Sequence, residues 1–194
     1  MKTMTGTTVT MEPITTAIYI PEESINAEQM DDNMKITLLM RQPVTSPCLV
    51  PVLHSSTPSC INKPFMVDGE CFKLTAMSFG TPHGAVFVDD VDEIDVETVG
   101  SDLGTHKLFP EGASIVFAQV TDNNSLKVRL WERDIGECDF TAEAVSVAGT
   151  AAIMLQKVLG CDINVSMGGE EFNVNWDRFG AGVKVTGSAK MITA

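Results

Sequence analysis

Residues 142–159 carry small or apolar side chains on every side of a helical wheel. Ala144, Val145, Val147, Ala148, Ala151, Ala152, Met154, Leu155 and Val158 leave it no polar face. A helix of this kind cannot rest on a surface and must be enclosed by other elements. Gly160 follows as the expected left-handed residue beyond its end. The elements available to enclose it are strands. Residues 72–77 and 85–88 read as strands about a turn at Gly80-Thr81-Pro82, and 114–120, 126–133, 162–167, 171–176 and a short 183–186 follow, with Gly168-Gly169 joining one pair. A second, short helix is expected over 93–103. Many strands around one central helix predict an α+β lobe, a mixed and mostly antiparallel sheet curled around a buried helix.

Upstream the pattern changes. Residues 1–64 form a strand-and-loop segment set apart from a lobe at 65–194. Alternation over 15–20 and 34–40 suggests strands, and prolines at 43, 47, 51, 58 and 64 bar a continuous central strand or helix across 42–62, which reads as an extended loop or edge. The 194 residues suffice for one well-cored domain, or one and part of a second. Hydrophobic residues at 44% and charged residues at 20% give the balance of a soluble globular chain. No apolar run reaches the length of a bilayer span. The threonine-rich start lacks a secretory apolar core, and five cysteines without a framework suit a reducing compartment, so a cytoplasmic protein is expected. The formal charge of −13 repels phosphate backbones and anionic lipid, which argues against nucleic-acid and membrane partners.

Several short motifs occur in order between 72 and 191: Gly80-Thr81-Pro82-His83, Phe87-Val88-Asp89-Asp90, Leu108-Phe109-Pro110-Glu111-Gly112, Trp131-Glu132-Arg133, Gly136-Glu137 and Thr186-Gly187-Ser188-Ala189. In this order and spacing they resemble the C-terminal lobe of the diaminopimelate epimerases, cofactor-independent enzymes that invert an amino-acid α-carbon. The first 65 residues carry no motif of that family. The resemblance implies a mixed sheet rolled around a central helix, no cofactor such as pyridoxal phosphate, and a small amino acid as ligand, in the chemistry of lysine biosynthesis. It also implies two cysteines on opposite faces of the α-carbon, one removing the proton and the other returning it from the far side. Each lies at a helix N-terminus, where free N–H groups and the dipole lower its pKa and hold the substrate carboxylate.

This chain departs from that chemistry. None of its five cysteines precedes glycine, so the Cys-Gly-Asn-Gly of the family's first lobe is missing, and that lobe is expected to be absent or replaced. Counting from Glu132 and Gly136-Glu137 places the second cysteine at Thr141, within Thr141-Ala142-Glu143-Ala144. A hydroxyl has no usable pKa near neutrality unless another group activates it. Ala142 and Ala144 replace glycines where backbone meets ligand, and Glu143 puts a carboxylate beside the anion site or, more simply, complements the dipole of a first helical turn. Thr81 and Ser114 stand where the family keeps substrate-binding asparagines. His83, Glu132 and Arg133 are retained as positioning and carboxylate-binding residues. Their structural alternatives are a Glu132–Arg133 ion pair and a His83 side chain that caps the turn after Pro82.

Other candidates carry less. Cys138 lies three residues from the family position, a full helical turn or a reversed strand face. Cys48, His54, Cys60 and Cys71 match no zinc spacing, and no metal is expected. The acidic residues from Asp89 to Glu97 lack the glycine and terminal glutamate of a calcium loop and read as a solvated helix start. The sequence therefore points to an epimerase-like lobe that is catalytically degenerate and acts as a binding or assembly module, pairing with itself or with a partner lobe. The alternative is an amino-acid isomerase or lyase completed by a second chain.

Overall fold

The computed structural model describes residues 7–10, 17–20, 34–47, 49–50, 52, 59–67, 69–180 and 182–192. The central helix is α2 (Ala142–Met154). Thr141 caps it in an extended conformation, and every residue from Ala144 to Ile153 is buried. The strands that follow the first turn of the sheet are β4 (Lys63–Val67), β5 (Glu70–Ser78), β6 (Pro82–Phe87), β7 (Ser114–Asp122), β8 (Ser125–Glu132) and β9 (Gly136–Cys138). After α2 come β10 (Asp162–Met167), β11 (Glu170–Asn175) and β12 (Val183–Ile192). Three upstream strands, β1 (Thr7–Thr10), β2 (Ala17–Ile20) and β3 (Met34–Met40), complete the twelve found among the described residues.

The sheet runs β2-β1-β12-β11-β10-β8-β7-β6-β5-β4, with β3 also paired to β12 and β9 to β8. Two pairings are parallel, β6 with β7 and β8 with β10, and the others are antiparallel. Because α2 touches β5, β6, β7, β8, β10, β11 and β12, the sheet curls around the helix on almost every side, which is the α+β lobe expected from the apolar wheel. No helix among the described residues is long and apolar enough to cross a membrane.

The other face of β4–β8 carries a second core. The short helix α1 (Val96–Gly104) packs there, with Val96 and Leu103 against Ile115, Phe117 and Trp131. Asp95 caps α1 by accepting a hydrogen bond from the Thr98 N–H, and its bonds to Thr98 hold its carboxyl below the usual carboxylate range. This is the helix start read in the acidic run, placed a few residues later than expected. Val50, Val52 and Cys60 join the same core, where burial pushes the Cys60 thiol pKa up. The described part of 41–62 holds only a single bridge between Val44 and Ser78, in keeping with a loop. Cys48 and His54 lie outside the described residues.

Three differences from expectation have a clear physical cause. The central helix stops at Met154 instead of 159, because Gln156 takes the left-handed conformation (φ 56°). The Lys157 N–H then bonds the Ala152 carbonyl at 2.9 Å and the Gln156 N–H bonds Ile153 at 3.3 Å, closing the carbonyl end. Gly160, also at positive φ (84°), serves the later turn into β10. The last strand is ten residues long instead of four, since β3 pairs with 183–189 and β1 with 190–192. Finally, β4 includes Pro64, which is tolerated because the strand lies at the sheet edge.

Candidate functional site

The pleat decides which side chains face α2. Val116 and Ala118 on β7, Leu126, Val128 and Leu130 on β8, Ala85 on β6 and Met77 on β5 all belong to the core around the helix. Side chains two apart on a strand share a face. Ser114, Glu132 and His83 therefore face α2 as well, at the end of the sheet where the helix begins. The register agrees, pairing Met77 with His83 and His83 with Ser114.

At this end hydrogen bonds join Glu143 to Thr81 and Thr81 to His83. Thr141 Oγ1 accepts a hydrogen bond from the Ala144 N–H at 3.0 Å, and the Thr141 carbonyl accepts one from Val145 at 3.2 Å. Ala142 opens the helix, and Glu143 turns its carboxylate to the β5–β6 turn, where Thr81 Oγ1 donates to Oε2 at 3.1 Å. Gly80 is at the same contact, since a Cβ there would sit 3.5 Å from Glu143 Oε1. His83 is fully buried, and its Nδ1 lies 3.0 Å from the Thr81 carbonyl, so it does close the turn after Pro82. A carbonyl only accepts, so Nδ1 is the donor, and in the Nδ1–H tautomer Nε2 is an acceptor. That Nε2 is buried without a partner, and so is Glu132 Oε2.

Arg133 is used differently. Its Nη1 donates to the Glu111 carbonyl at 2.5 Å and reaches that of Gly112 at 3.5 Å, while its backbone N–H donates to Ser114 Oγ at 3.1 Å. Its nearest carboxylate is exposed Asp134 at 3.5 Å, so the ion pair with Glu132 anticipated from the sequence does not form. Successive residues of a strand point to opposite faces, which separates the two side chains. Cys138 sits on β9 opposite Leu130, half-buried against the α2-side core, its Sγ 3.9 Å from the Phe140 carbonyl. Among the described residues no cluster of His, Cys, Asp or Glu could hold a metal.

Glu111 and Gly112, noted in the sequence only as part of a motif, hold Arg133 through their carbonyls, a role no side-chain pattern announces. Gly168, at φ 61° in the β10–β11 turn, lies so near the chain leading into α2 that a Cβ would come within 2.5 Å of the Asp139 carbonyl. The paired glycines signalled a turn, and only the fold shows what the turn touches.

The sequence model of the family "Diaminopimelate epimerase" matches residues 75–192. The chain belongs to the diaminopimelate epimerase family. The diaminopimelate epimerase of Oceanobacillus iheyensis is 32% identical over 172 residues, covering 87% of this chain and 60% of the relative. That of Carboxydothermus hydrogenoformans is 34% identical over 171 residues, with the same coverages. The chain thus spans 60% of the length of these curated relatives. Alignment over 87% of the chain carries the likeness upstream of residue 65, farther than the short motifs reached. Among solved structures, a hydroxyproline epimerase from Agrobacterium vitis superposes with a TM-score of 0.53 at 13% identity, covering 81% of this chain and 50% of the other. A Bacillus anthracis protein of the PhzF family gives 0.50 at 15% identity, with coverages of 88% and 62%. These likenesses support the fold.

Proposed function

We propose that this chain is a non-catalytic, ligand-binding member of its family, taking a small amino-acid-related molecule in the cytoplasm and pairing with a second copy or a partner lobe. The carrying observation is the Thr141 hydroxyl, tied to the Ala144 N–H as a helix cap at 3.0 Å, at the position where the family resemblance implies a thiol. Among the described residues no base takes a hydrogen bond from it, and the carboxylate two residues on accepts one from Thr81. A hydroxyl in that state cannot take a proton from carbon. Inversion needs two such groups, and no cysteine in the chain has the glycine that follows the family's first.

The test is proton NMR of diaminopimelate in deuterated water with the purified chain. The α-proton signals are expected to persist unchanged over hours. Their loss, with deuterium entering the α-position, would overturn the proposal in favour of a working isomerase.

A further inference from the structure

We propose that Glu143 sets the specificity of the α2 N-terminal site, making it a receptor for amines that carry no carboxylate instead of zwitterionic amino acids. This rests on the binding reading above and deepens it. A helix start ordinarily invites an anion. Here the position is taken from within, because Glu143 lies in the first turn and Thr81 Oγ1 holds its Oε2 at 3.1 Å. The Ala144 and Val145 N–H groups already bond Thr141. An incoming carboxylate would meet the like charge of Glu143.

The remaining groups ask for the opposite partner. His83 is fully buried with Nε2 as an unpaired acceptor, and Glu132 Oε2 is a buried, unpaired acceptor on the next strand but one. Pleat and register turn both toward α2 at its N-terminal end. Buried polar atoms without partners are rare in folded proteins. An ammonium, with three donors and no acceptor, is the kind of partner such acceptors lack. No cation among the described residues pairs with Glu132 or Glu143, since Arg133 is held by the Glu111 and Gly112 carbonyls. A cationic ligand completes the charge balance of the site, and a net charge of −13 draws it in.

Lysine and cadaverine make a matched pair of probes, because the diamine is lysine without its carboxylate; glutarate supplies carboxylates without amines. Titration calorimetry of the full chain is expected to show cadaverine held at least about tenfold more tightly than lysine, with glutarate weakest. Glu143→Gln should narrow the cadaverine-to-lysine ratio to about twofold or less, and Thr81→Val, which frees the carboxylate, should narrow it in the same direction. Glu93→Gln removes the same charge from an exposed position and should leave the ratio unchanged. The inference is overturned if lysine binds as well as cadaverine, if cadaverine does not bind, or if Glu93→Gln narrows the ratio as Glu143→Gln does. Should lysine bind more tightly, the binding reading survives without this specificity. Should cadaverine be preferred while deuterium enters diaminopimelate, the non-catalytic reading falls alone.

Discussion

Thr141 Oγ1 takes the Ala144 N–H, and Glu143, two residues on, takes the Thr81 hydroxyl. The first bond is local and the second crosses 62 residues of sequence. That difference decides what could be read in advance. The apolar run from Ala142, with the count from Glu132 and Gly136-Glu137, was enough to place Thr141 at a helix start, because capping depends on neighbours. The partner of Glu143 was not legible, since the β5–β6 turn reaches α2 only when the sheet curls. If capping is the work of Thr141, its removal has a definite size. Thr141→Ala is expected to destabilise the chain by about 1 kcal/mol, and Thr141→Ser, which keeps the acceptor, by a few tenths at most. Urea denaturation measures both. Equal losses in the two variants would show that the methyl group, not the hydroxyl, matters at this position.

The two helices show how far pattern reading extends at the level of elements. For α2 the apolar wheel gave existence, burial and the surrounding sheet, but not the stop, because Gln156 occupies a backbone conformation that usually belongs to glycine. Strand β12 was likewise read short. Its second half lacks a clear alternation and is extended by pairing with β3 and β1, whose partners lie at the other end of the chain. For α1, propensity and packing pull in opposite directions. Gly100 and Gly104 lie one turn apart and form the bed on which Trp131 rests: a Cβ at Gly100 would stand 2.4 Å from Trp131 Cβ, and one at Gly104 would stand 2.3 Å from Trp131 Cζ3. Alanine in a helix interior is favoured over glycine by roughly 1 kcal/mol. Overpacking a core costs about 1–3 kcal/mol, and the Trp131 Cβ, bonded directly to the strand backbone, cannot swing away. Gly100→Ala is therefore expected to lower stability by about 1–2 kcal/mol despite its better propensity. A rise in the melting midpoint would mean that α1 shifts freely on the sheet.

At the scale of the molecule, both cores are built on alternate residues of the same strands. Ile115, Phe117, Leu74 and Trp131 face α1, while Val116, Ala118, Met77 and Leu130 face α2. No strand of β5–β8 can leave one core without leaving the other, so the two should unfold together, as small domains usually do. The two tryptophans offer a direct reading, since Trp131 lies in the α1-side core and Trp176 in the α2-side core. In a Trp131→Phe background all tryptophan fluorescence comes from Trp176. Adding Leu103→Ala there opens a cavity under α1, in the opposite core, where such a truncation costs about 2–5 kcal/mol. Trp176 touches none of that cavity, yet it should report a midpoint lowered by the full amount and coincident with far-ultraviolet circular dichroism. An unchanged Trp176 transition, with circular dichroism splitting into two steps, would mean that the sheet comes apart along its length and that the α2-side site stands without the α1-side core. A single shifted transition would mean that the helix start, its cap and the buried acceptors facing it depend on packing on the far side of the sheet.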